Sequence, residues 1–225
     1  MFGDVRTNSK QFPLVQIGEK LDLITYGLTV RPEYVDEGIP LISAREIRSG
    51  KLNYNGAPKI SFSDFEKLTE KGKPRKGDIL FSKTGSIGHC ALIETDQVIA
   101  ITQNAARLTF KSDINPIFAL YYLRDTYIQK LANNTAKGNA VRDLQLGDFK
   151  KFKLFLPPIS VQTQFAQIVE KTEALKAQYQ QSLQELENLY GSLSQRAFKG
   201  QLTPKEYKLP NDYAQNSGLG MAAEP

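Results

Sequence analysis

The chain has 225 residues, 40% hydrophobic and 24% charged, with one histidine, one cysteine and a net charge of +5. That length allows one sizeable globular domain plus an extended element. It lacks the run of about eighteen apolar residues that a membrane span needs, the apolar N-terminal stretch of a secretion signal and a second cysteine for an internal disulfide, which together predict a reducing cytoplasm.

In chain order, Phe12–Gly18 predicts a short opening strand, and Leu21–Thr25 continues the apolar pattern. Ile39–Ala44 is a buried-strand candidate, followed by a polar, basic turn over Arg45–Lys51. Lys59–Phe62 predicts a short strand and Ser63–Glu70 a short helix, with Ser63 as N-cap and Glu66 at the capping-box position. A basic, turn-rich run over Lys71–Gly77 leads into a strand at Asp78–Ser82, where Asp78 reads as a turn residue. Cys90–Glu94 and Gln97–Thr102 alternate as a hairpin about Thr95-Asp96, and Arg107–Phe110 is a further strand. Pro116 at the first helical position opens one helix through Leu131, with Ala119, Leu120, Leu123, Tyr127 and Leu131 near helical spacing. Lys137–Asp143 is a polar loop, and Phe149–Phe155 alternates apolar and basic residues as an edge strand would. The predicted fold class is α/β: a mixed-sheet globular domain over residues 1–158, followed by a long helix over 159–200 and a disordered tail over 201–225 rich in Pro, Gly and Asn.

The long helix is the most patterned part. Pro157 and Pro158 stop any helix from upstream, Ser160 serves as N-cap, and Gly200 suits the C′ position with Lys199 in the last turn. With Phe165 at heptad position a, the a residues are Phe165, Thr172, Tyr179, Leu186 and Leu193, and the d residues are Ile168, Leu175, Ser182, Leu189 and Arg196. The apolar members Phe165, Ile168, Leu175, Tyr179, Leu186, Leu189 and Leu193 form a stripe for a partner helix. The polar d positions Ser182 and Arg196 argue for an irregular two-helix contact rather than a parallel zipper. The expected pairing is an antiparallel coiled coil.

Catalytic constellations are missing from the sequence. His89, the lone histidine, adjoins Cys90, and neighbours in an extended segment point to opposite faces, so they make no nucleophile–base pair; both read as packing residues. Lys83–Gly88 lacks the GxxxxGK[ST] order of a phosphate loop, and there is no GxGxxG fingerprint. A metal site is not expected, and the chain reads as a non-enzyme without a cofactor of its own.

Charge and loop chemistry point elsewhere. Residues 1–158 carry a net +6 and residues 159–225 a net −1, so a polyanion would dock on the first part. Its polar loops combine cations with amides and hydroxyls. Arg suits guanine N7 and O6, Asn and Gln suit adenine N6 and N7, and Lys, Ser and Thr suit phosphate oxygens. The candidate duplex-contacting residues are Arg45, Arg48, Lys59, Lys83, Thr84, Ser86, Gln103, Asn104, Lys137, Asn139 and Arg142.

An ordered set of segments carries a family resemblance: Gly38-Ile-Pro-Leu-Ile-Ser43 with Ile47 and Gly50, Lys76-Gly-Asp-Ile-Leu80, Gly85-Ser-Ile-Gly88, Thr102-Gln-Asn104, Phe118 with Tyr121-Tyr-Leu123, and Leu156-Pro-Pro-Ile159. Gln164, Ile168 and Leu193 through Ala197-Phe-Lys-Gly200 extend it into the helix. Over about residues 12–202 the chain closely resembles specificity subunits of Type I restriction–modification systems. The resemblance implies a target recognition domain that reads half of a bipartite DNA site and a helix that sets the gap between halves. It further implies a non-catalytic role beside two modification subunits that methylate adenine with S-adenosylmethionine, and a restriction subunit as a further partner. The chain carries one recognition domain and one spacer helix, about half of a full subunit. It is therefore expected to homodimerise through the Phe165–Leu193 stripe or to pair with a second half-subunit. The opening segment from Phe2 to Lys10 resembles the start of the second half of a full subunit. The alternative reading is a coiled-coil adaptor that binds no DNA.

Overall fold

The computed structural model describes residues 1–47 and 50–202, and these fall into two compact units divided between Lys171 and Thr172. Arg48 and the tail from residue 203 lie outside the described residues. Among the described residues the strands are β1 (Leu14–Gln16), β2 (Leu21–Tyr26), β3 (Ile39–Ile42), β4 (Lys59–Ile60), β5 (Ile79–Ser82), β6 (Cys90–Leu92), β7 (Ala100–Ile101), β8 (Ala105–Phe110) and β9 (Lys153–Phe155). The helices are α1 (Phe62–Glu66), α2 (Pro116–Arg124), α3 (Thr126–Thr135), α4 (Leu146–Phe149) and α5 (Ile159–Phe198), with 3-10 turns at Ile17–Lys20 and Glu70–Gly72. The mixed α/β class and the long C-terminal helix agree with expectation.

The first unit is layered. An antiparallel sheet in the order β2-β8-β5-β6 forms its centre, and a second sheet, β4-β3-β7, combines an antiparallel β3–β4 pair with a parallel β3–β7 pair. β1 and β9 form a separate antiparallel ribbon. All four residues of β5 are buried, so this strand reads as a continuous apolar run rather than an alternating one. Its side chains divide by parity. Ile79 and Phe81 join Ala106, Leu108, Phe118, Leu123 and Phe149 in the core beneath the helices. Leu80 joins Ile42, Ala91, Ile101 and Ala105 in a second core on the opposite face. Burial of each Leu, Ile or Phe side chain among these contributes about 1.5–3 kcal/mol.

One ion pair lies inside this sandwich. Arg107 of β8 and Asp78, just before β5, are 7% and 4% exposed, and Nε approaches Oδ2 to 2.6 Å without hydrogen-bond geometry. Further bonds hold the pair: Arg107 Nη1 donates to the Glu70 and Lys73 carbonyls at 2.9 and 2.8 Å, and Asp78 accepts from Thr109 Oγ1 at 2.6 Å and Arg75 N at 2.7 Å. Asp78 is thus a buried counter-ion rather than a turn residue.

Several local expectations are corrected. The short helix begins at Phe62, and its cap is Ser61, whose Oγ accepts from Asp64 N at 3.0 Å, so Ser63 lies inside the helix. No hairpin forms about Thr95-Asp96: β6 pairs with β5, while β7 crosses to lie parallel to β3. The expected single helix over Pro116–Leu131 is two, because Asp125 adopts ψ 139° and caps the second, accepting from Tyr127 N. Asn115 caps the first. The Phe149–Phe155 strand shortens to β9, since α4 takes Phe149 into the helical core.

Gln162, fully buried at the start of α5, fixes that helix within the first unit. Its amide donates to the Pro157 carbonyl at 2.9 Å and accepts from Asn115 N at 2.8 Å, joining the Pro-Pro stop to the cap of α2. Helix α5 starts at Ile159, with Val161 and Gln162 donating to the Pro158 carbonyl, so Pro158 occupies the capping place assigned to Ser160. Phe165 packs edge-on against Phe2 and Tyr121. In the second unit, Leu175, Tyr179, Leu183, Leu186, Leu189, Tyr190 and Leu193 are all exposed. The helix ends in a Schellman cap: Gly200 N donates to Ala197 O and Gln201 N to Arg196 O, which requires the φ of +67° that Gly200 adopts.

Replacing Asp78 with Ala leaves the Arg107 guanidinium buried without its counter-charge, and the expected loss is about 3–5 kcal/mol. Urea denaturation of the variant measures it; a loss under about 1 kcal/mol would show that the pair is not a structural element.

Candidate functional site

Strand direction gathers the polar loops. β2 and β5 both run antiparallel to β8, and β6 antiparallel to β5. The outgoing ends of β2 and β5 and the incoming ends of β8 and β6 therefore share one sheet edge. Tyr26–Tyr34, Lys83–His89 and Gln103–Asn104 are displayed there. Thr102 N donates to the Ile42 carbonyl at 3.0 Å, which brings the turn after β3, with Arg45, to the same edge.

The Lys137–Asp143 loop is attached to this edge by backbone bonds. Gly85 N donates to Arg142 O at 2.9 Å, Leu144 N to Lys83 O at 2.8 Å, and Lys83 N to Asn104 O at 3.0 Å. Asp143 is the hub. Its carboxylate accepts from Lys83 Nζ, from Thr84 Oγ1 and, at 2.7 Å, from Gln145 Nε2. Partial burial pushes this carboxyl upward, but the Lys83 and Thr84 hydrogen bonds outweigh it and hold the group below the usual carboxylate range.

Most candidate cations at this edge are engaged inside the protein. Lys83 is bound to Asp143, and its ammonium also lies 5.6 Å from the centre of the Tyr26 ring. Lys137 is exposed and pairs with Asp148 at 3.0 Å. Lys137 and then Lys151 hold the Asp148 carboxyl below its ordinary range. Arg142 donates to the Asn133 and Ala136 carbonyls, closing the C-terminal end of α3. Lys59 lies within the β3–β4 pairing, opposite Pro40, and donates to the Asp36 carbonyl at 2.9 Å. Arg45, Gln103 and Asn139 are exposed, while Thr84, Ser86 and Asn104 are half-buried. The structure thus brings Arg45, Lys83, Thr84, Ser86, Gln103, Asn104, Lys137, Asn139 and Arg142 to one edge and sets Lys59 inside a strand pair.

Sequence reasoning passed over Asp143, because its importance comes from partners about sixty residues away. It also passed over Arg31 and Tyr34, whose Arg-Pro-Glu-Tyr order in a turn-rich segment is the available signal. His89 is exposed, not a packing residue, while Cys90 is buried and its thiol is pushed up to about 11 by burial. Among the described residues there is no cluster of three metal-ligating side chains, and no helix is long and apolar enough to cross a membrane.

Known proteins match this chain over most of its length. A family model of the Type I restriction modification DNA specificity domain matches residues 30–188. The specificity subunit of the Type I restriction enzyme EcoBI from Escherichia coli is 28% identical over 185 residues, covering 80% of this chain and 39% of that protein. The EcoKI specificity subunit of Escherichia coli strain K12 is 23% identical over 188 residues, covering 79% and 40%. The HsdS subunit of Thermoanaerobacter tengcongensis aligns with TM-score 0.56 at 20% identity, over 85% of this chain and 45% of that one. A chain solved in work on complex assembly and conformational transition of the type I R-M system aligns with TM-score 0.58 at 20% identity, over 88% and 51%. The chain spans about two fifths of the length of these curated relatives.

The lowered Asp143 carboxyl stabilises the loop edge above the ordinary carboxylate range near pH 4, and that contribution is lost as pH falls through the lowered value. Asp143→Asn should therefore destabilise the protein at neutral pH and show a shallower loss of stability on acidification. Unfolding midpoints measured from pH 6 to about pH 3 test this; parallel curves for variant and parent would refute it.

Proposed function

Because the chain belongs to the Type I restriction modification DNA specificity domain family, we propose that it is a DNA sequence-recognition element that directs adenine methylation to a bipartite site. The single observation that carries this reading is the convergence of Arg45, Lys83–Ser86, Gln103–Asn104 and Lys137–Arg142 on one sheet edge. That edge presents cations for phosphates beside amides for base edges. The net +6 of residues 1–158 supports the same face by drawing a polyanion to it.

In this reading the chain performs no chemistry. Modification subunits dock beside it and supply both the methyltransferase site and S-adenosylmethionine, and a restriction subunit adds cleavage where the system has one. The complex works in the cytoplasm, where its DNA lies. The stripe of Ile168, Leu175, Tyr179, Leu186, Leu189 and Leu193 pairs antiparallel with a second copy or a second half-subunit, while Phe165 packs within the first unit. Two copies about a two-fold axis would read a palindromic bipartite sequence. The length of α5, about 60 Å for 40 residues, would set the spacing between half-sites.

Two measurements test the proposal. Adenine-methylation mapping in cells carrying this chain with its modification subunit, against that subunit alone, should yield a bipartite motif only in the first. A motif seen in both, or in neither, would defeat the reading. Lys137→Ala should weaken binding to all duplexes alike and reduce the slope of log K against log salt by about one unit. An unchanged slope removes Lys137 from the phosphate contacts.

A further inference from the structure

The segment between β2 and β3 differs from the other loops of this edge in how it is held and in what it displays. It is tied at both ends. Leu28 N donates to Ile101 O and Leu28 O accepts from Gln103 N, both at 2.8 Å, and Val35 N donates to Lys59 O at 3.0 Å. The first tie depends on close approach, because a Cβ on Gly27 would meet the Ile101 carbonyl oxygen at 1.7 Å. Between the ties, Arg31 and Tyr34 are exposed, and the guanidinium carbon lies 5.1 Å from the centre of the Tyr34 ring.

Arg31 is also uncommitted. Lys83 and Arg142 spend donors on Asp143 and backbone carbonyls, and Lys137 pairs with Asp148 at the surface. Among the described residues Arg31 forms no ion pair or hydrogen bond; the Tyr34 ring is its recorded contact. The cation–π contact holds the guanidinium near the Tyr34 ring while its N–H donors stay free of protein acceptors, and free donors are what bidentate recognition of a planar acceptor pair requires. Beside it lies an open recess of about 160 Å³, with Leu28 and Leu41 among its apolar lining residues and Gln103 and Asn104 among its polar ones. That volume holds about five waters, too small for a cofactor but enough to admit the edge of a base.

We propose that Arg31, oriented by Tyr34, reads a guanine through N7 and O6 and is a specificity-determining residue of this edge. The inference rests on the DNA-recognition reading above. Tyr34 is a positioning residue that holds the guanidinium near its ring. Lys83 and Arg142 brace the neighbouring loops.

The test is selection of bound sequences from a randomised duplex library by the complex of this chain with its modification subunit, followed by affinity for the selected site. The parent should select a motif containing a G·C pair that relaxes to any base in Arg31→Ala. Affinity for the parental site should fall about 5- to 150-fold, with little loss on non-specific duplex. Arg31→Lys should fail to restore the position, since an ammonium cannot form the fork. Tyr34→Phe should keep the motif, and Tyr34→Ala should blur the same position. A uniform loss over all sequences, with the salt slope reduced by about one, would make Arg31 a phosphate contact and overturn the proposal. An unchanged motif and affinity would also overturn it. If the parent itself selects no motif, the DNA-recognition reading fails first and this inference with it. Circular dichroism identical to the parent's excludes misfolding as the source of any loss.

Discussion

The buried pair of Asp78 and Arg107 fixes the register from which the rest of the first unit follows. A buried arginine on a strand needs a counter-charge, and here the Asp78 carboxylate supplies it while the Glu70 and Lys73 carbonyls accept from Nη1. Sliding β8 by one residue against β5 would turn Arg107 into the apolar core beneath the helices and pull Leu108 out of it. The observed register, Leu80 opposite Arg107 and Ser82 opposite Ala105, sets Lys83 beside Asn104 at the loop edge. A charge pair far from the edge thereby aligns the loops that meet there.

At that edge the charges divide into two roles. Lys83 and Arg142 neutralise a carboxylate or close a helix end and carry the loops' geometry, whereas Lys137 holds Asp148 only through an exposed pair and keeps donors toward solvent. Asp143 gathers what would otherwise be independent segments, and against the effect of burial the hydrogen bonds from Lys83 and Thr84 that join them also lower its carboxyl. Counting basic residues in the sequence does not separate a bracing cation from a free one. The hydrogen-bond partners do.

Some features were legible from residues alone because their causes are local. The Pro-Pro stop, the apolar stripe and Gly200 define α5 to within a residue or two, since each acts within one turn of the chain. Strands β3, β5 and β8 were legible as short strand segments, while β2 showed only as a continued apolar pattern. Errors arose where two local solutions compete. Both Ser61 and Ser63 can cap, and the first wins because β4 ends at Ile60. Asp125 is compatible with a helix interior but forms a better cap, so it breaks the expected helix in two. The strand after Thr95 could fold back on β6, yet Ala100 and Ile101 find a second sheet in which they are buried on both faces. The roles of Asp78 and Asp143 were illegible for a different reason: their partners lie about thirty and sixty residues away, and only the tertiary fold brings them close.

The double tie of the segment from Leu28 to Val35 makes it exchangeable. Because closure is secured by backbone bonds at the two ends, the intervening side chains support neither core, and their replacement leaves the sheets as they are. Extra length is tolerated too, since doubling a closed loop adds only about 0.6 kcal/mol of chain entropy. Gly27 is the exception: any side chain there collides with the Ile101 carbonyl and unfastens the first tie. The segment therefore behaves as a cassette with fixed clasps, through which a lineage can rewrite its displayed chemistry without renegotiating the fold.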